Sequence, residues 1–271
     1  MPLTAHCSLL TAHSVFIHPS AIISPKAKIG ENCYLGAFCI VGDDVTLEPN
    51  VHLESHVVID GRTTIGADTR VFPFVSVGLA PQDLKYAGEP TETQIGSRNQ
   101  IREFVTIHRG TKGGGGLTKI GDDNLLMAQA HVAHDCRLGN NIIMANAATL
   151  AGHVTIEDRA NVGAYSGVHQ FCRIGREAFV GGYSVVVKDA LPFAISQGNH
   201  ARCYGLNSIG MKRRGYSKET IEQLKHAFHL LLSAKLNTTQ ALERIKADIA
   251  DSPEVNLLTD FIETSTRGVI K

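Results

Sequence analysis

Residues 35–65 read LGAFCIVGDDVTLEPNVHLESHVVIDGRTTI. An aliphatic side chain returns at every sixth place, at Leu35, Val41, Leu47, Leu53, Ile59 and Ile65. A period of six cannot keep one face of a 3.6-residue helix buried, so this stretch is not helical. The residue four places after an aliphatic is small, as at Cys33, Cys39, Cys136 and Ala148. It lies two before the next aliphatic, so both point inward from a short strand whose middle residue faces out. Glycine is frequent directly after the aliphatic, as at Gly30, Gly36 and Gly42, where it suits a tight corner with unusual backbone angles. Each hexad is thus one short strand and one corner. Equal strands joined by sharp corners coil into a parallel β-helix.

The beat reaches back to Ile17 and forward to Val77, resumes from Ile95 to Ile107, and runs again from Ile120 to Val186. Three hexads per coil make a triangular prism of about nine coils, roughly 40 Å long. The period itself sets neither the number of sides nor the handedness. The rest of the composition agrees with many thin layers: ten Phe, six Tyr and no Trp in 271 residues, with abundant small and β-branched residues. Formal net charge is zero, which argues against nucleic acid or a polybasic membrane anchor as partner. No apolar run approaches ~18 residues, and the N-terminus lacks the pattern of a secretory signal. Six cysteines without paired spacing do not form a disulfide framework; Cys33, Cys39, Cys136 and Cys172 fall on inward positions and read as small buried hydrophobes. A cytoplasmic location is the expectation.

The beat lapses twice, giving loops at 78–94 and 108–119 that project from the solenoid, where function concentrates. Gln82, Asp83 and Lys85 in the first can reach a ligand or a neighbouring subunit. The second places Ile107 and Ile120 thirteen apart, which breaks the frame, and its run Gly113–Gly116 reads as a flexible connector without a phosphate-binding pattern around it. The expected division is a β-helix over 1–190 and an α-helical domain over 191–271. In the latter, Ser217 caps a helix near 218–234, Thr238 one near 239–250, and Ser252-Pro253-Glu254 opens a third. Arg202, Lys212, Arg213, Arg214, Lys218 and Lys225 form a basic patch, either a solvated face or a dock for an acidic partner or phosphate.

The stretch HVAHDC at 131–136 holds two histidines and a carboxylate. His134, His153 and His169 are nineteen and sixteen apart, close to the eighteen of one coil, so they are expected along one edge, with His131 on the adjoining strand. Three chemistries use such an edge. A histidine oriented by a carboxylate is a general base. Three imidazoles hold zinc with one position open. Histidines also simply bond to corner backbones. On these residues alone the three stay open.

The hexads together with QDLKYAGEP at 82–90, IREFVTIHRGT at 101–111, HVAHDC, ATLAGHV at 148–154, VHQF at 168–171, QGNHA at 197–201 and KRRG at 212–215 resemble the UDP-N-acetylglucosamine acyltransferase family. That family opens lipid A biosynthesis in Gram-negative bacteria. The resemblance runs from about Phe16 to the STRG near the C-terminus, and the segment before Ile17 looks longer than the family usually has. It implies a left-handed coil, against the usual right-handed crossover, and a homotrimer with sites between subunits. It implies transfer of an (R)-3-hydroxyacyl group from acyl carrier protein to the 3-hydroxyl of the glucosamine of UDP-N-acetylglucosamine, with no metal or cofactor. By that match His134 is the general base, Asp135 orients it, and the N–H of Gly152 supports the oxyanion. Asp83, Lys85, His131, His153, His169 and Gln170 bind sugar and acyl groups. Asn207, Arg213 and Arg214 lie near nucleotide or carrier phosphate, and Gly182 limits acyl length, its lack of a side chain favouring a longer chain. Two other families and a non-enzyme compete. A carbonic-anhydrase-like β-helix hydratase requires stoichiometric zinc. A related N-acyltransferase carries a large extra N-terminal domain for which this chain has no room. A structural solenoid requires no active histidine.

Overall fold

The computed structural model describes residues 14–249 and 251–271. The segment before Ile17, apart from residues 14–16, therefore lies outside the described residues. The hexads fold as a left-handed parallel β-helix, its strands mostly two residues long and stacked, among the described residues, into three sheets of eleven, nine and eight strands. The first sheet starts at Phe16–Ile17, the second at Ile22–Ile23 and the third at Lys28–Ile29. Each strand pairs with its counterpart one coil on, as Tyr34 with His52 and Leu35 with Leu53. Both inward rows are sealed: Leu35, Cys39, Leu53, Ile59, Leu126 and Cys136 are completely buried. Burial pushes the Cys136 thiol up to about 12, which leaves it an inert core group.

The corner glycines have a different cause from the one expected. None of Gly30, Gly36 or Gly42 has a positive φ; the left-handed residue sits two places further on, at Asn32 after Gly30 and Phe38 after Gly36, and the corner of Gly42 has none. Glycine is needed because coils touch there. A Cβ on Gly30 would stand 2.6 Å from Pro49 N, and one on Gly36 2.8 Å from the Glu54 carbonyl carbon.

The left-handed residues form columns along the three edges of the prism. Between the first and second sheets stand Phe38, His56, Phe74 and Phe104, their rings 4.9, 4.9 and 5.0 Å apart, with Tyr165 and Tyr183 higher up at 5.2 Å. A left-handed conformation costs a side-chain-bearing residue about 1–2 kcal/mol, and each stacked pair returns about 0.5–1.5 kcal/mol. Between the third and first sheets the column is polar: Asn32 donates to Asn50, Asn50 to Asp68, and Arg98 pairs with Asp123. Between the second and third stand Asp135, His153 and Phe171.

Neither loop disturbs the frame. The strands Glu92–Ile95 and Leu117–Ile120 that follow them pair residue for residue, so both insertions are taken up at the corner leading into the third sheet. At the end of the prism Ala194–Gln197 adds to the first sheet parallel to Phe179–Val180, and Arg202–Leu206 pairs with it antiparallel. Among the described residues four helices follow: α1 (Ser208–Arg213), α2 (Lys218–Leu232), α3 (Thr238–Asp248) and α4 (Pro253–Glu263). Ser217 caps α2 as expected, its Oγ accepting from Thr220 N. The cap of α3 is Asn237, not Thr238: Asn237 and Gln240 form a capping box, so the helix begins one residue earlier. The short α1 carries no apolar periodicity and was not legible. One hydrophobic cluster fills the prism up to Ala190, and a second begins at Leu191 and joins the helices. Arg173 ties the two: it donates to Asp189 at 2.8 Å and to Phe261 O at 2.6 Å, and its guanidinium lies 4.0 Å over the Phe261 ring.

Candidate active site

His134 is the second residue of the corner after the strand His131–Val132. Its Nδ1 lies 2.8 Å from Oδ2 of the next residue, Asp135, leaving Nε2 free to take a proton. Asp135 is buried and its backbone N–H donates to Thr118 Oγ1 at 2.8 Å. Its Oδ1 accepts from the Thr111 N–H at 2.9 Å, and its Oδ2 from the Thr111 hydroxyl at 2.6 Å. The carboxylate is thus held at both oxygens by Thr111, and its backbone by Thr118, before it meets the imidazole. A carboxylate fixed this way sets the imidazole tautomer and offsets the charge that a captured proton brings.

The second loop provides this support. Lys112–Gly114 form one 3₁₀ turn, and a Cβ on Gly114 would fall on the Asp135 carboxyl group. Gly113–Gly116 is therefore not a loose connector: Gly114 lets the turn close over the carboxylate. From the next coil Gly152 packs on the His134 ring, where a Cβ would stand 2.5 Å from Cε1. The Gly152 N–H makes no hydrogen bond among the described residues. Asp83 and Lys85 line a cavity of about 780 Å³ together with Thr111, Lys112 and Gly113, so the first loop reaches the support of Asp135.

The histidines separate into contacts that spacing did not resolve. The His134 and His153 rings stand edge to face at 5.1 Å, while His153 stacks on Phe171 at 4.4 Å. His169 begins its corner instead, with Nδ1 3.2 Å from Arg267 Nη2, beside the exposed Gln170. The cluster able to gather on one ion is therefore His134, Asp135 and His153, not three histidines, and both Asp135 oxygens are already committed to hydrogen bonds. On the outer face of the second sheet His131 Nδ1 lies 2.6 Å from Thr106 Oγ1. Burial holds His131 below the ordinary imidazole range, with the nearby His134 adding to it. Burial likewise lowers His153, against the pull of Asp135 and Asp83.

His108, which begins the second loop, was missed: it is buried, 5.1 Å from His131, and belonged to no motif beyond its place in HRGT. Burial, with His131 and His134 adjacent, holds it down at about 4. The unfolded chain takes up this proton below about pH 6.5, so stability is complete above that and declines as pH falls toward the folded value. We expect His108 to account for about 2 kcal/mol of lost stability between neutral pH and about pH 5. Urea unfolding of the protein and of His108→Phe at both pH values checks this, since the substituted chain must lack that part of the decline.

Other expected residues lie elsewhere. Asn207 caps α1 through its side chain, and Arg213 ends that helix in solvent. The Arg214 guanidinium is paired with the buried Glu177, which Arg159 and the Tyr216 hydroxyl also approach. Arg214 and Arg159 line a cleft with Asp123, Leu125, Asn141 and Ile143, beside the polar edge and the first sheet. Within one chain this is away from the histidine edge. Gly182 is on the aromatic edge beside Tyr183; a Cβ there would meet Ala164 O at 3.3 Å and otherwise open space.

Comparison with known proteins bears on this geometry. Residues 189–270 match the family model described as UDP N-acetylglucosamine O-acyltransferase, domain 2, and residues 26–61 match a hexapeptide repeat of succinyl-transferase. LpxA from Acinetobacter baumannii is 45% identical, with a TM-score of 0.92 over 94% of this chain and 100% of that one. The UDP-N-acetylglucosamine O-acyltransferase of Moraxella catarrhalis is 42% identical, with a TM-score of 0.91 over 94% and 99%. The UDP-N-acetylglucosamine acyltransferase of Bacteroides fragilis is 39% identical, with a TM-score of 0.92 over 94% and 100%.

Proposed function

The chain belongs to the UDP-N-acetylglucosamine acyltransferase family and is an acyltransferase of lipid A biosynthesis; on that premise we propose that the histidine edge is where the acyl group moves. The carrying observation is the His134–Asp135 pair at 2.8 Å, with the carboxylate pinned by Thr111. His134 Nε2 takes the proton of the glucosamine 3-hydroxyl as that oxygen attacks the thioester carbonyl of an (R)-3-hydroxyacyl carrier protein. The tetrahedral oxyanion is met by the Gly152 N–H. As the carbon–sulfur bond breaks, the imidazolium returns its proton to the departing thiolate and His134 is regenerated. The chemistry is complete without a cofactor or metal.

Asp83, Lys85, His131, His153, His169 and Gln170 are proposed to hold the sugar and the acyl group near this edge. Asn207 and Arg213 would meet nucleotide or carrier phosphate, whereas Arg214 first has to leave Glu177 or share its guanidinium with it. The chain's basic patch suits an acidic carrier protein, and no described helix is long and apolar enough to cross a membrane. Cytoplasmic substrates of this kind imply a cytoplasmic enzyme. A homotrimer is supported by two observations. Arg214 lies on a different side of the prism from His134, so a substrate meeting both spans two copies. Phe38, Phe74, Phe104, Ile22 and Ile40 also form an exposed apolar stretch of the kind that a second copy covers.

His134 and Gly182 stand on the two edges that border the second sheet, three coils apart, hence about 14 Å along the axis. The outward residues of the second sheet between them, Thr149 and Gly167, are small. We expect a longer hydroxyacyl chain to lie along this face. Assay of UDP-N-acetylglucosamine with a series of hydroxyacyl carrier proteins tests the function, and product with no donor in the series would sink it. In the same assay Gly182→Met should move preference toward chains two carbons shorter by roughly tenfold, since each buried methylene contributes ~0.8 kcal/mol. An unmoved preference removes Gly182 from the acyl path.

A further inference from the structure

Buried polar groups are almost always bonded, and one left without a partner costs about 1–3 kcal/mol. His108 departs from this. It is 6% exposed, its Nδ1 is sealed from solvent, and neither ring nitrogen bonds to any described residue. Phenylalanine would fill the same space without that penalty. The ring is not isolated from the chemistry. It stands edge to face on His131, at 5.1 Å and 78°, and follows Ile107, which pairs with Val132 two residues before His134. Beyond it the chain continues directly through Arg109 and Gly110 to Thr111, the residue that pins Asp135.

We propose that His108 is a substrate-binding residue: its Nε2, the nitrogen that is not sealed, bonds to the acceptor sugar, while the sealed Nδ1 stays unpartnered. A sugar with its 3-hydroxyl at His134 Nε2 extends other hydroxyl and amide groups over the adjoining second-sheet face. His131 and His108 border that face from below. The neutral imidazole can donate to or accept from such a group without adding a second positive charge where His134 must capture a proton. The sealed Nδ1 thus makes the residue destabilising in the folded protein, and the bond through Nε2 is its contribution in the complex.

The proposal rests on the function given above, and wild-type turnover of UDP-N-acetylglucosamine establishes that separately. His108→Phe keeps the ring, the volume and the neutrality and removes the nitrogens. Without ligand its Tm should rise by about 2–4 °C. Its KM for UDP-N-acetylglucosamine should rise about tenfold, with kcat within about threefold and the KM for the acyl carrier unmoved. His108→Gln, with a polar end in place of the imidazole, should recover part of the lost affinity. A Phe variant with unchanged acceptor KM overturns the proposal. So does a fall in Tm, because it means that the imidazole has its partner within the folded chain.

Discussion

His134→Ala is expected to lower turnover by about 10²–10⁴-fold, the usual contribution of a positioned general base. The prism should survive it intact. His134 lies at a corner, while the residues that hold its coil in register, Val132 and Cys136, are completely buried in the interior. Its backbone O still accepts from His153 N at 3.0 Å. Substrate affinity should therefore change little, and kcat and kcat/KM should fall together, because the lost interaction is made in the transition state. Steady-state kinetics beside circular dichroism and a sizing column separate these effects. A variant with wild-type turnover would leave the histidine edge a structural feature of the solenoid.

The second large effect is expected at a residue that touches no substrate. Gly114→Ala places a methyl group on the Asp135 carboxyl, which is held by Thr111 and whose backbone is held by Thr118. Either the 3₁₀ turn lifts or the carboxylate swings away from His134. Displacements of about 1 Å in such a pair cost about 10²-fold in rate, and that is the expected loss in kcat. The neighbouring Gly113 is the control. A Cβ there meets nothing within 4 Å, so Gly113→Ala should retain nearly full activity. Equal losses in both variants would mean that the loop acts through flexibility, and the packing argument would fail.

The β-helix was legible in the sequence because its two inward rows repeat with a period that no other regular structure shares. The reason for the corner glycines was not, because a contact with the next coil leaves the same residue type as a left-handed turn. Only the folded structure distinguishes Gly30, which meets Pro49, from Asn32, which carries the positive φ. At the site, His134 and Asp135 adjoin in sequence and were readable as a pair. Thr111 and Thr118 were not: they reach Asp135 across 24 and 17 residues, through a loop whose glycines resemble a spacer. His108 carried no signal beyond its type and its place in IREFVTIHRGT, since a histidine that begins a loop is ordinarily solvated. The spacing of His134, His153 and His169 came near the coil repeat but placed them at different points of the corner. That difference of one or two residues decides which ring meets Asp135 and which meets Arg267.

Where it recurs, the left-handed corner position makes the same backbone demand and accepts an aromatic, an acidic or a basic side chain alike. Phe74, Asp123 and His153 occupy equivalent places with similar angles, φ 64°, 58° and 62°. Register and stability reside in the inward rows. The three outer columns are consequently independent of the scaffold and of one another, and each can change in chemistry, rung by rung, while the coil beneath keeps its shape. One edge can become a grip for a second copy and another a proton-transfer site without either change being felt by the other. A solenoid of this kind separates the inheritance of a fold from the inheritance of its surface, and new specificity can be acquired by altering a single column.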